Sequence, residues 1–193
     1  MPRTVIWPVV LNQWPAFCAL NSERVIFPPD AATLFPMNAT FKRHIRWLIN
    51  LWPPFLGAGI RVKRISPDWR EVDVEMKLRR WNANYVGTHY GGSLYSMADP
   101  FYMVMLIENL GKGYIVWDKS ATVRFKKPGK GTVVARFRLS LEQIDEIRRA
   151  LESTEKIERT FAVEVQDEAG TVITVVEKLL HIRRSQPSSL TSF

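Results

Sequence analysis

Gly91 and Gly92 stand directly before an apolar run, Ser93 to Leu110, and Asp99 is the only acid in the first two turns of that run. Glycines have no Cβ, so a ligand carbonyl can approach their backbone closely. The first N–H groups of a helix lack internal partners and carry the positive end of its dipole. The pair therefore suits polarisation of a carbonyl oxygen, by the N–H of Gly92 helped by that of Gly91. An aspartate in an apolar helix is costly unless it is paired or used. Asp99 is thus a candidate for chemistry, with a hydrogen-bonded structural carboxylate as the other reading.

The residues around this pair are polar. Asn84 and Thr88 either close an Asx-type turn or meet a substrate. Tyr90 offers a hydroxyl donor that is a poor base at neutral pH. His89 reads chiefly as a loop residue beside the substrate, and Ser96 as a group near Asp99 able to bond it or position water. A serine nucleophile is not expected without a histidine in reach. Pro100 removes a helical hydrogen bond to the Ser96 carbonyl and predicts a kink near Asp99. No phosphate loop or dinucleotide glycine pattern is present, and the three histidines (44, 89, 181) are too scattered to hold a metal. No cofactor or metal is expected.

These residues need elements to hold them. Phe41, Ile45, Leu48 and Trp52 recur at helical spacing, Asn38 suits an N-cap, and Pro53-Pro54 ends the helix. Lys42, Arg43 and Arg46 make it basic. Such a helix can lie on a membrane, but packing on the domain edge with solvated charges is the reading adopted. Arg61 to Ser66 predicts a strand, and Val72, Val74, Met76 and Leu78 alternate with polar residues as in a second. The run Ser93 to Leu110 is apolar nearly all round, which predicts a buried helix stopped by Gly111. Strand alternation returns at Ala121–Phe125, Val133–Leu139, Phe161–Val165 and Val172–Ile182. Ile144, Ile147 and Leu151 mark a short amphipathic helix between two of these. Short turns imply antiparallel pairing, so a curved sheet around one buried helix, an α+β fold, is the simplest cover.

With 193 residues, one domain plus an appendage is expected. Residues 1–36 carry six prolines and hold no period, and read as an irregular extension. Residues 37–184 form the domain and 185–193 a frayed tail. Hydrophobic residues at 46% suffice for a core. The single Cys18 allows no internal disulfide, which suits a cytoplasmic location. No transmembrane segment is expected. The net charge of +8 fits a membrane surface or a polyphosphorylated ligand; nucleic acid is disfavoured, since no recognition helix, RNA-binding pattern or zinc finger is visible.

The pattern Asn84-x-x-Gly87-Thr88-x-x-Gly91-Gly92-x-Leu94-x-x-x-Ala98-Asp99, in this order of elements, resembles the hotdog thioesterase superfamily. It is most similar to the PaaI-like and DUF4442 (tetrameric acyl-CoA thioesterase-like) branch, over about residues 40–184. Tyr114–Lys119, Arg124-Phe125-x-Lys127-Pro128-Gly129 and Glu177-Lys178 support the match. The resemblance implies a hotdog fold, a curved antiparallel β-sheet wrapped around a long central helix. It implies sheets joined edge to edge in a homodimer or homotetramer, with active sites at the dimer interface. It also implies hydrolysis of acyl-CoA-type thioesters, with Asp99 as general base or nucleophile and Asn84 orienting the loop or meeting the thioester. Tyr90 departs from the pattern, because PaaI-like relatives often carry His there. That departure, together with Pro100, motivates the alternative of a non-catalytic hotdog protein that binds acyl-CoA or fatty acyl chains. Arg79, Arg80, Lys126, Lys127 and Lys130 would suit the phosphates of coenzyme A.

Overall fold

The computed structural model describes residues 39–185, with side chains from residue 44. The expected extension, and the tail beyond 185, lie outside the described residues. Helices α1 (Ala39–Leu51) and α2 (Pro53–Ala58) lead in. Two prolines set the start of α2, where a missing N–H costs nothing, and Gly59 ends it in the left-handed region at φ 74°. Strands β1 (Ile60–Ile65) and β2 (Glu71–Lys77) follow, joined by a tight turn. In that turn Ser66 Oγ donates to Asp68 Oδ1 at 2.5 Å and accepts from the Arg70 and Glu71 amides.

Next come α3 (Gly91–Ser96) and α4 (Phe101–Leu110), then β3 (Tyr114–Phe125) and β4 (Thr132–Arg138). Helix α5 (Leu141–Ser153) opens on a capping box: Ser140 accepts from the Gln143 amide, and the Gln143 side chain accepts from the Ser140 amide. Ile144, Ile147 and Leu151 are buried as their spacing predicts. Strands β5 (Lys156–Asp167) and β6 (Val172–Arg184) close the chain.

The six strands make one antiparallel sheet in the order β1-β2-β4-β5-β6-β3. The two apolar helices pack on it. Phe101 meets Phe137 with ring centroids 5.0 Å apart, and Tyr102 stacks on Phe161 at 4.9 Å while its hydroxyl donates to the Ala162 carbonyl at 2.9 Å. Met97, Ala98, Met105 and Leu106 are fully buried. The expected kink is a break: the helical stretch divides between Ser96 and Phe101, and Pro100 caps α4 from outside.

The sheet's two edges differ. At β1, Asn50 of α1 donates to the Val62 carbonyl at 3.1 Å and accepts from the Val62 amide at 2.7 Å, while Arg46 donates to the Lys63 carbonyl. A side-chain amide thus stands in for a neighbouring strand and blunts that edge. Strand β3, at the other end, pairs only with β6. Helix α1 departs from its expected face. Ile45 and Ile49 are the half-buried positions, whereas Leu48 and Trp52 are exposed together with Trp47 and Leu51.

Candidate active site

Asp99 lies in the break between α3 and α4, at the end of a helix that Pro100 prevents from continuing. Its Oδ1 accepts two hydrogen bonds, from the Tyr95 hydroxyl at 2.6 Å and from Lys178 Nζ at 2.6 Å. Lys178 sits on β6 at a core-facing position, between buried Val176 and Leu180, and its side chain is 1% exposed. Its ammonium also meets Asp118 Oδ2 at 3.0 Å and stands 5.4 Å from the centre of the Tyr95 ring. Asp118 lies on β3 next to an irregularity: Asp118 pairs with Leu180 and Ser120 with Leu179, so Lys119 is the extra residue of a bulge. Bulges of this kind re-aim side chains beside functional sites.

One buried cation thus serves two carboxylates. Burial pushes the Lys178 ammonium down, but the hydrogen bonds and charges of Asp99 and Asp118 outweigh burial and hold it above its ordinary value. Burial raises the Asp118 carboxyl above its ordinary value against the opposing pull of Lys178. Among the described residues its Oδ1 has no hydrogen-bond partner. Burial, followed by the bond to Asp99, raises the Tyr95 phenol.

The glycine pair opens α3 as its first two residues, with Tyr90 as N-cap and no side chain capping it. The N–H groups of Gly91 and Gly92 therefore have no acceptor within the helix. A Cβ on Gly91 would come within 2.9 Å of Phe125 Cζ, and one on Gly92 would overlap the Tyr90 ring. Both aromatic rings lean over the pair.

A cleft of about 620 Å³ opens beside Gly91. Asn84, Thr88, His89 and Leu94 line it, together with the turn from Phe125 to Lys130 that carries Lys126, Lys127 and Lys130. Asn84 organises its wall. Its Oδ1 accepts from the Val86 and Thr88 amides, and its Nδ2 donates to Thr88 Oγ1 at 2.8 Å and to the His89 carbonyl. That is an Asx turn using both ends of the amide. His89 is buried, and Nε2 lies 3.1 Å from the Gly131 carbonyl, which assigns the proton to that nitrogen. Burial lowers its basicity despite that carbonyl, so the ring is neutral at pH 7.

The sequence-predicted residues thus do not share one lining. Asn84, Thr88, His89 and Gly91 share the cleft wall. Tyr90 borders a smaller neighbouring hollow with Trp81 and Ser93. Asp99 belongs to neither lining. Ser96 does not meet Asp99, because its hydroxyl donates to the Gly92 carbonyl at 2.8 Å; Tyr95 takes the part expected of it. Lys178 and Tyr95 escaped sequence reasoning as partners of Asp99, as did Asp118 as the second partner of Lys178. One signal was legible: Lys178 falls in the apolar phase of β6, and a lysine there requires a counter-ion.

Six antiparallel strands curved around a broken central helix define a hotdog domain. The chain belongs to the DUF4442 family, a domain of unknown function, which matches residues 38–182. No curated protein matches the sequence significantly. Among solved structures, a Pseudomonas aeruginosa protein of unknown function, PA5026, described as a probable thioesterase, is 24% identical with a TM-score of 0.64. That match covers 78% of this chain and 98% of the other. The thioesterase HI1161 of Haemophilus influenzae is 13% identical with a TM-score of 0.55, covering 76% and 93% of the two chains. At these identities the likeness establishes the shared fold.

Proposed function

We propose that the protein is a thioester hydrolase acting on acyl-CoA-type substrates. The observation that carries this reading is the state of Asp99. It is a half-exposed carboxylate at a helix break, with one oxygen fixed by a buried lysine and a tyrosine. A fixed carboxylate beside solvent suits activation of water. The free amides of Gly91 and Gly92 supply donors for the oxygen that becomes negative when the thioester carbonyl is attacked. Lys126, Lys127 and Lys130 on the cleft wall suit the phosphates of coenzyme A.

Because Asp99 does not line the cleft of its own chain, the complete site is proposed to form between two copies. The cleft and glycine pair of one copy would meet Asp99 of the second. The open edge of β3 supports this arrangement, since the β1 edge is already occupied by Asn50. Whether two dimers pair again into a homotetramer is a finer part of the same proposal, as is a cytoplasmic location; among the described residues no helix is long and apolar enough to cross a membrane.

The test is release of free thiol from acyl-CoA substrates across chain lengths, on the wild type and on Asp99→Ala. Loss of turnover in a variant that still folds supports the proposal, and unchanged turnover removes Asp99 from the mechanism. Tyr90, in the slot where PaaI-like relatives often carry His, favours a second reading, a carrier that binds acyl-CoA without cleaving it. Saturable binding with no thiol release by the wild type would select that reading.

A further inference from the structure

From Ala31 to Pro67 the chain has no acidic residue and six cations: Lys42, Arg43, Arg46, Arg61, Lys63 and Arg64. Lys63 and Arg64 are neutralised by Glu75 and Glu71 on β2. Arg46 and Arg61 make no ion pair among the described residues, and Lys42 and Arg43 add two further charges to α1. The same helix exposes its apolar residues. Trp47 and Leu51, one turn apart, are each 63% exposed; Leu48, Trp52 and Leu56 of α2 are open as well. Arg46 stands 5.9 Å from the centre of the Trp47 ring. A second such pair, Arg79 over Trp81 at 5.3 Å, lies beside α2, because Asn82 ties its turn to the Ala58 carbonyl.

We propose that α1, α2, Arg61 at the start of β1 and the Arg79–Trp81 turn form a docking surface for an anionic lipid bilayer. Exposed tryptophan and leucine interleaved with arginine match the boundary between headgroups and acyl chains, where an amphipathic helix lies in the plane. Unpaired cations supply the attraction to anionic headgroups. Nucleic acid shares the negative charge but offers nothing to Leu48, Leu51 and Leu56. A second copy is disfavoured by charge, since a two-fold contact would set this cationic stretch against itself. Residues 1–36 carry two cations and two acids, so they add no net negative charge. The surface also lies at the β1 side of the sheet, opposite the open β3 edge. Joining copies through β3 therefore leaves it uncovered.

The experiment is co-sedimentation of the full-length protein with vesicles of phosphatidylcholine alone or mixed with phosphatidylglycerol. The expected result is binding to the mixed vesicles, weakened by salt. Arg46→Gln with Arg61→Gln lowers partitioning on the order of thirtyfold, at the value of a cation near an anionic membrane surface. Trp47→Ala with Leu51→Ala, both on the solvent side and remote from the core, lowers it on the order of tenfold or more. No binding to the mixed vesicles overturns the proposal, as does binding that neither variant weakens. Two further outcomes also overturn it: a smaller oligomer for the Trp47/Leu51 variant in light scattering, and capture of a short DNA duplex by a protein that ignores vesicles. Vesicle binding does not depend on thioester hydrolysis, so it stands or falls separately from the proposed activity.

Discussion

Lys178→Met removes the ammonium and keeps the length and apolar body of the side chain. The buried cation is then gone, and Asp99 and Asp118 face one another without it. At an effective dielectric of about 20, a charge pair near 4 Å is worth roughly 4 kcal/mol before solvation is counted. Lys178 makes two closer ones, at 2.6 and 3.0 Å. Breaking a buried pair by removing one partner costs about 3–5 kcal/mol. The carboxylate side chains are 46% and 26% exposed, so water recovers part of that. The expected loss lies at the low end, ~3 kcal/mol. For a chain of this size that lowers Tm by roughly 6–12 °C.

Scanning calorimetry at pH 7 measures the loss, and two controls make it specific. Lys178→Met with Asp118→Asn removes cation and carboxylate together and should regain more than half of it. Acid should also narrow the deficit. Burial already raises Asp118 in the wild type. Without Lys178 its folded-state value rises further, so the folded variant holds a proton that its unfolded chain has released. A group of this kind favours the fold as pH falls through that raised value. A single variant melting within about 1 °C of the wild type would refute the account. So would a deficit that is the same at pH 7 and at pH 5.

Four further outcomes follow from the geometry. Tyr95→Phe deletes one bond to the Asp99 carboxylate and leaves the ring beneath Lys178; it should cost about 1 kcal/mol in urea unfolding and reduce any thiol release without abolishing it. Gly129→Ala should cost about 1–3 kcal/mol, because its Cβ meets Ile173 Cγ2 at 3.0 Å and His89 Cδ2 at 3.2 Å, both in buried side chains. Gly91→Ala, facing the exposed outer end of the Phe125 ring, should cost under about 1 kcal/mol in the same assay. Burial lowers His89 below its ordinary 6.5, so the unfolded chain takes up a proton near that pH while the folded chain does not. Stability should therefore fall as pH drops below about 6.5, and His89→Gln should remove that part of the slope in calorimetric melts.

Much of the fold was legible in one dimension. Strict alternation in Val72–Met76 and Val133–Phe137 named the buried faces of β2 and β4, because a pleat sends neighbouring side chains to opposite sides. Ile144, Ile147 and Leu151 named the inner stripe of α5 for the analogous helical reason. The glycine pair before an apolar run, with Asp99 beyond it and Pro100 next, located the candidate site and its kink. Helix α1 was misread in part. Its apolar residues fit a core-facing stripe by spacing, yet Leu48 and Trp52 stay exposed, since a period fixes which residues share a face but not what covers that face.

The Gly-Gly step, the costly aspartate and the helix-breaking proline are local facts, set by the backbone freedom, charge and missing N–H of single residues. The sequence by itself therefore determined which residues are candidates for chemistry and which fold carries them. Tyr95 is one turn from Asp99, but the rest of the cluster is not local. Lys178 lies 79 positions along the chain from Asp99, and Asp118 joins them from the strand that β6 pairs with. Their convergence depends on sheet register and on one bulge in β3. So does the fact that Asp99 stands apart from the cleft of its own chain. Only the tertiary structure decided these, because pairing between distant strands sets which side chains meet, and no local pattern encodes that register.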